Sequence, residues 1–372
     1  MKKNRIAILA VSAMLVCVPA GAETIHSADS RITKIGRTVS LADGGIVLNW
    51  SATTLCVEFS GRSLTLRARD SHLNFYNVWI DRNPAAESDF VFKTTTVDST
   101  YVIATKLKSG THVVYIQKRT EGRLGNTVFK EFSTDGSFLQ ARDFKPRMIE
   151  FIGDSLTAAY GSEGLDPKEK YKPETQNPAK GYAQILARYF DADVFTLGHS
   201  GMGVTRNNAG KMEGTYMDSL YSLAIDVKEH PEYAGIAEGT LWNPSASRFK
   251  PDLTVIFLGA NDFSGGIQPS YQRFEKRFVK LLNQVKTNYG PDHKILCIAY
   301  ERDTNIFNYI VSSIRASALS NVFFMSESKG VMSADSRDLG SASHPNYSGH
   351  MKYAYTLVPY IATICGWDVR TL

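Results

Sequence analysis

The chain has 372 residues, enough for two domains that each bury a core. Its 43% hydrophobic and 21% charged residues are the balance of an ordinary globular protein, with no low-complexity tract or internal repeat, which excludes disordered, collagen-like and solenoid classes. The formal net charge is +5, but the excess is concentrated at the start of the chain, and the remainder gives no electrostatic footprint for nucleic acid.

The first segment reads as an export signal. MKKNR is a positive stretch, IAILAVSAMLVCV is apolar, and Ala20-Gly21-Ala22 fits a small-residue cleavage site, so residues 1–22 are expected to be removed before Glu23. Lys2, Lys3 and Arg5 leave with it and no acid does, so the remainder carries a net charge of +2. A lipoprotein processed at Cys17 is the weaker reading, because Val16 is bulky where a small residue is expected. The apolar run is short for a membrane span and no other long one follows. An exported protein, periplasmic or extracellular, with no membrane span is expected.

From about Ser30 to Asp143 the apolar pattern has period two. LCVEF places Leu55, Val57 and Phe59 on one face; SLTLRAR places Leu64, Leu66 and Ala68 opposite Thr65, Arg67 and Arg69. NVWID, TYVIATKL and HVVYIQKR continue it, and Asp43-Gly44-Gly45, Ser60-Gly61 and Ser109-Gly110 supply turns. This predicts an all-β sandwich or jelly roll over residues 23–145.

After Lys145-Pro146-Arg147 the pattern changes. MIEFIG, DVFTLG, LTVIFLG, KILCIAY and NVFFM are short apolar runs without alternation. Between them lie helical stretches, such as the stripe Phe274, Phe278, Leu281, Leu282 and Val285 ending at Gly290. Residues 146–372 are expected to form an α/β domain around a parallel sheet.

In such sheets ligands gather at the carboxyl ends of the strands. Those ends carry Gly153-Asp154-Ser155, Gly198-His199-Ser200-Gly201-Met202-Gly203 and Gly259-Ala260-Asn261-Asp262; Ser343-His344-Pro345-Asn346 stands before the last helix. Each has a plain structural reading: Ser155 as a helix cap, the glycines as turn formers, Asn261-Asp262 as an Asx turn, His344 as a surface residue. Together they supply a nucleophile, a base and oxyanion donors. Cys56, Cys297 and Cys365 remain after export, with no CxxC, HExxH or P-loop, so neither metal nor cofactor is expected. Buried thiols suit all three, with a Cys297–Cys365 disulfide as the alternative.

FIGDSLT, HSGMG, LGANDF and SHPN, in this order, resemble the four blocks of the SGNH (GDSL) hydrolases. The resemblance implies a flavodoxin-like three-layer α/β/α domain and assigns Ser155 as nucleophile, His344 as base, and Gly201 and Asn261 as oxyanion donors beside the Ser155 N–H. GRTV, WIDR and GTHVVYIQKRTE, followed by EFIGDSLTAAYG, resemble carbohydrate esterase family two, in which a jelly roll precedes the SGNH domain. That family implies removal of acetyl groups from plant cell-wall polysaccharides through an acetyl-enzyme. One feature departs from the pattern: the superfamily's DxxH acid is replaced by Ser341, and the nearest upstream acid is Asp338. The resemblance then implies a Ser–His pair oriented by a backbone carbonyl. Asp154 is expected to brace its turn, and His199 to pack or touch substrate. The competing readings are an esterase acting on a sialic acid, pectic or lipid ester, and a decayed hydrolase that binds glycans through Tyr160, Trp242 and Phe263. Whether the β-domain touches carbohydrate stays open.

Overall fold

The computed structural model describes residues 22–210, 214–226, 240–300, 304–327 and 330–370. The expected export segment lies outside this range apart from Ala22. The chain divides into two compact units: one runs through Phe144 and includes Ala224–Thr240, and the other holds Lys145–Leu223 and Leu241–Leu372. The return at Ala224 has local anchors. Trp50 Nε1 donates to the Ala224 carbonyl at 3.0 Å, the Asp226 N–H donates to Asn49 Oδ1 at 3.2 Å, and Ile225 is buried beside Val47 and Val128. So brief a contact leaves no periodic trace in sequence.

The first unit contains β1 (Glu23–His26), β2 (Thr33–Ile35), β3 (Thr38–Ser40), β4 (Ile46–Leu48), β5 (Thr54–Gly61), β6 (Leu64–Asp70), β7 (Phe75–Ile80), β8 (Phe90–Lys93), β9 (Ser99–Ala104), β10 (Gly110–Lys118), β11 (Thr127–Thr134) and β12 (Ser137–Leu139). They form two antiparallel sheets. One has the order β3-β4-β11-β6-β9, with β1 also on β11; the other has the order β12-β5-β10-β7-β8, with β2 also on β5. Alternation decides which side chains enter the core. Leu64, Leu66 and Ala68 are fully buried and meet Leu55, Val57, Phe59, Val114, Ile116 and Phe132, while Arg67 and Arg69 face outward.

The second unit contains β13 (Arg147–Gly153), α1 (Tyr182–Phe190), β14 (Ala192–Gly198), α2 (Met217–Leu220), β15 (Leu253–Phe257), α3 (Tyr271–Tyr289), β16 (Lys294–Ala299), α4 (Thr304–Ser317), β17 (Val322–Ser326) and α5 (Tyr347–Cys365). Its parallel sheet has the order β14-β13-β15-β16-β17, which is the flavodoxin-like order. Strands buried on both faces need no alternation, and β14 and β15 are buried throughout. Phe151, Val255, Phe257 and Leu296 pack with Ile185, Leu186 and Phe190 of α1 and Leu357 and Ile361 of α5. The predicted stripe of α3 is buried, and Gly290 closes that helix at φ 103°. Cys56, Cys297 and Cys365 are free thiols, so the Cys297–Cys365 disulfide is not formed.

One buried histidine links the sandwich to pH. His112 Nδ1 lies 2.7 Å from Asp81 Oδ2, and Nε2 lies 2.7 Å from the Lys108 carbonyl. A ring that donates from both nitrogens is protonated. Burial opposes the charge, but the Lys108 carbonyl and the Asp81 carboxylate outweigh it and raise the His112 pKa. A raised folded-state pKa stabilises the fold below the unfolded value of about 6.5, and that stabilisation fades as pH climbs through the folded value. The urea midpoint of the wild type should therefore drop more between about pH 6 and about pH 9 than that of His112→Gln. Parallel pH profiles for the two proteins would remove His112 from this linkage.

Candidate active site

The strand order reverses between β13 and β15, and the crevice at their carboxyl ends is where such sheets bind ligands. Asp154 and Ser155 follow β13 directly. The helix that a cap at Ser155 would start is not there. The chain makes successive turns, with the Ala158 N–H on the Asp154 carbonyl at 3.0 Å and the Tyr160 N–H on the Ser155 carbonyl at 3.0 Å. Ala159, at φ 56°, stops these turns from propagating as a helix. The cap-like bond belongs to Asp154, whose Oδ1 accepts the Leu156 N–H at 3.1 Å. The Ser155 hydroxyl therefore does not cap.

That hydroxyl meets His344. His344 Nε2 lies 2.8 Å from Ser155 Oγ, and Nδ1 lies 3.0 Å from the Ala342 carbonyl. A carbonyl only accepts, so Nδ1 carries the proton and Nε2 presents its lone pair to the serine O–H. The carbonyl is turned inward by consecutive left-handed residues, Ala342 at φ 54° and Ser343 at φ 58°. Each such non-glycine residue costs about 1–3 kcal/mol. The Tyr160 ring packs 4.6 Å from the imidazole, centroid to centroid.

Asp338 is engaged elsewhere. It accepts from Lys352 Nζ at 2.6 Å, the Ser333 N–H at 2.6 Å and Ser348 Oγ at 2.8 Å. Burial pushes its pKa up, but these donors outweigh burial and hold it down at about 2.

The other two candidates follow β14 and β15. Gly201 sits at φ 80°, where any side chain is strained although there is space for one. Among the described residues the backbone N–H groups of Ser155 and Gly201 have no acceptor. Asn261 Nδ2 donates to Asp154 Oδ2 at 3.1 Å and to the Met202 carbonyl at 2.9 Å.

Two residues that sequence reasoning underrated lock these loops together. Asp262 is fully buried and accepts from the N–H groups of Val204, Thr205 and Arg206 at 2.9, 2.7 and 3.0 Å, and from Thr205 Oγ1 at 2.9 Å. Burial raises its pKa, and these donors work against that rise. Arg206 reaches back to the Ser264 carbonyl at 2.7 Å and Ser264 Oγ at 3.0 Å. Asp262 was visible only as one half of an Asx turn, and Arg206 gave no signal.

His199 is buried, with Nδ1 3.1 Å from the Ser200 carbonyl, and its N–H joins the two strand ends by donating to the Gly153 carbonyl at 3.2 Å. Phe263 packs against Phe274 and Tyr309. Among the described residues no group of three or more His, Cys, Asp or Glu could hold a metal ion.

Comparison with known proteins matches residues 34–141 to the carbohydrate esterase 2 N-terminal family and residues 151–351 to the GDSL-like lipase/acylhydrolase family. An acetylxylan esterase/glucomannan deacetylase of Cellvibrio japonicus is 30% identical over 67% of each chain. The cellulase/esterase CelE of Acetivibrio thermocellus is 28% identical over 86% of this chain, which spans 38% of CelE. A family two carbohydrate esterase from Clostridium thermocellum, solved with cellohexaose, superposes with a TM-score of 0.77 at 27% identity, covering 90% of this chain and 99% of that one. The chain belongs to the GDSL-like lipase/acylhydrolase family of ester hydrolases, in the two-part form that begins with the carbohydrate esterase 2 N-terminal region.

Proposed function

We propose that the protein is an exported carbohydrate acetyl esterase that removes O-acetyl groups from xylan or glucomannan through an acetyl-enzyme on Ser155. The observation that carries this reading is the 2.8 Å pair of Ser155 Oγ and His344 Nε2, with the far nitrogen held by a carbonyl. The relatives named as acetylxylan esterase/glucomannan deacetylase support the substrate class. The N-terminal pattern of residues 1–22 supports export, and no helix among the described residues is long and apolar enough to cross a membrane.

In this mechanism His344 Nε2 takes the Ser155 proton as Oγ attacks the acetyl carbonyl. The oxyanion is met by the unengaged N–H groups of Ser155 and Gly201 and by the Asn261 amide. His344 returns the proton to the departing sugar oxygen, then activates water, which releases acetate from Ser155.

Ser155→Ala and His344→Ala should each reduce acetate release from acetylated xylan and glucomannan to background while the fold persists by circular dichroism. Wild-type-like turnover in either would sink the assignment. Asn261→Ala should lower kcat by about a hundredfold to a thousandfold, the usual loss for one oxyanion donor, and an unchanged kcat would remove Asn261 from the site. Asp338→Asn should keep turnover close to wild type, because its carboxylate serves Lys352, Ser333 and Ser348. A loss of about 10⁴-fold would mean that it orients His344 after all.

A further inference from the structure

The Ala342 carbonyl can fix His344 only if a strained loop stays in place. Ala342 and Ser343 are both exposed, so nothing packed over their side chains holds them. The restraint comes instead from a segment ahead of α1. The Ala342 N–H donates to the Glu169 carbonyl at 2.8 Å, and the Ser343 N–H donates to the Pro167 carbonyl at 3.0 Å. Ser341, fully buried, donates its hydroxyl to Glu169 Oε1 at 2.6 Å. Gly164 makes room for this approach, since a Cβ there would stand 2.0 Å from the Ser341 nitrogen. Two residues beyond Glu169, the Tyr171 ring stacks on Tyr160 at 3.8 Å, and Tyr160 packs on His344 at 4.6 Å.

Ser341 stands three residues before His344, where the DxxH pattern puts its acid. Here that position holds a hydroxyl, and the hydroxyl is bonded to a carboxylate from another loop. We propose that Glu169 is a positioning residue for His344: through Ser341 and the Ala342 N–H it fixes the loop that aims the Ala342 carbonyl at Nδ1. It acts by hydrogen-bond geometry and does not touch the imidazole. The proposal rests on the reading of Ser155 and His344 as the reacting pair.

The test is steady-state hydrolysis of 4-nitrophenyl acetate by Glu169→Ala, Glu169→Gln, Ser341→Ala and the Glu169→Ala/Ser341→Ala double variant, with Ser155→Ala as control. Glu169→Ala should lower kcat by about tenfold to a hundredfold with KM nearly unchanged, the scale of a slightly misplaced catalytic group. Glu169→Gln should recover most of that loss, because its amide oxygen still accepts the Ser341 proton. Ser341→Ala should match Glu169→Ala, and the double variant should be no worse than either single one. The acid limb of kcat/KM should move to lower pH in Glu169→Ala, since an imidazolium that loses its carbonyl acceptor gives up its proton more readily. A merely structural role would not move that limb.

Wild-type kcat in Glu169→Ala, or a Glu169→Gln enzyme as slow as Glu169→Ala, overturns the proposal. Should Glu169→Ala fail to fold, Glu169→Gln and Ser341→Ala decide it: near-wild-type kcat in the first with a tenfold or greater loss in the second supports it, and any other pairing overturns it. Full turnover by Ser155→Ala would instead overturn the underlying reading of the reacting pair.

Discussion

An imidazole serves as a base only while its second nitrogen keeps its proton. In the proposed mechanism the Ala342 carbonyl, 3.0 Å from His344 Nδ1, meets this constraint. A carboxylate in that place would fix the tautomer and also stabilise the imidazolium by charge. A carbonyl fixes the tautomer with a dipole alone, so direction matters more. The direction is bought with two left-handed residues, and such conformations persist only where their surroundings over-determine them. The backbone bonds from Ala342 and Ser343 to Glu169 and Pro167, together with the bond from the Ser341 hydroxyl to the Glu169 carboxylate, are the restraints on this loop.

The loops that carry Gly201 and Asn261 are arranged by the same means, one bonded to the next. Asp262 stands at the end of β15 yet binds the N–H groups of Val204 to Arg206, which follow β14. Arg206 answers by binding Ser264 beyond β15. These bonds tie together the two loops that carry Gly201 and Asn261. A buried carboxylate is tolerable here because four donors converge on it. Replacing it would leave those donors unsatisfied.

What was legible in the sequence follows from the range of the forces involved. The sandwich strands showed themselves because one face is buried and period two is local. The parallel sheet showed itself through apolar runs, and α3 through a stripe that its neighbours confirm. The strand ends at Ser155, Gly201 and Asn261 were readable because the order of an α/β sheet brings its carboxyl ends together. The turns after Ser155 were not readable, since Ala159 adopts a conformation that alanine does not announce. Nor was Glu169, whose bond to Ser341 spans 172 positions along the chain. Asp338 was the nearest acid in sequence and is occupied by Lys352 instead, a choice made by tertiary packing alone.

The engagement of Asn261 in the resting site bears on how much its amide can contribute. Both hydrogens of Nδ2 already have acceptors, Asp154 Oδ2 and the Met202 carbonyl. Donating to an oxyanion means sharing one hydrogen or giving up an acceptor, so the net gain is the difference between the new bond and the old. The substrate's neutral carbonyl is a poor competitor for that hydrogen, whereas a full negative charge is a strong one, because charge-assisted bonds are roughly twice as strong as neutral ones. Met202 is the easier acceptor to displace, being neutral, while the Asp154 carboxylate retains the other hydrogen. In the proposed mechanism, an amide restrained in this way would respond weakly to bound substrate and strongly to the tetrahedral intermediate. Interactions that strengthen only as the reaction proceeds are those that raise kcat.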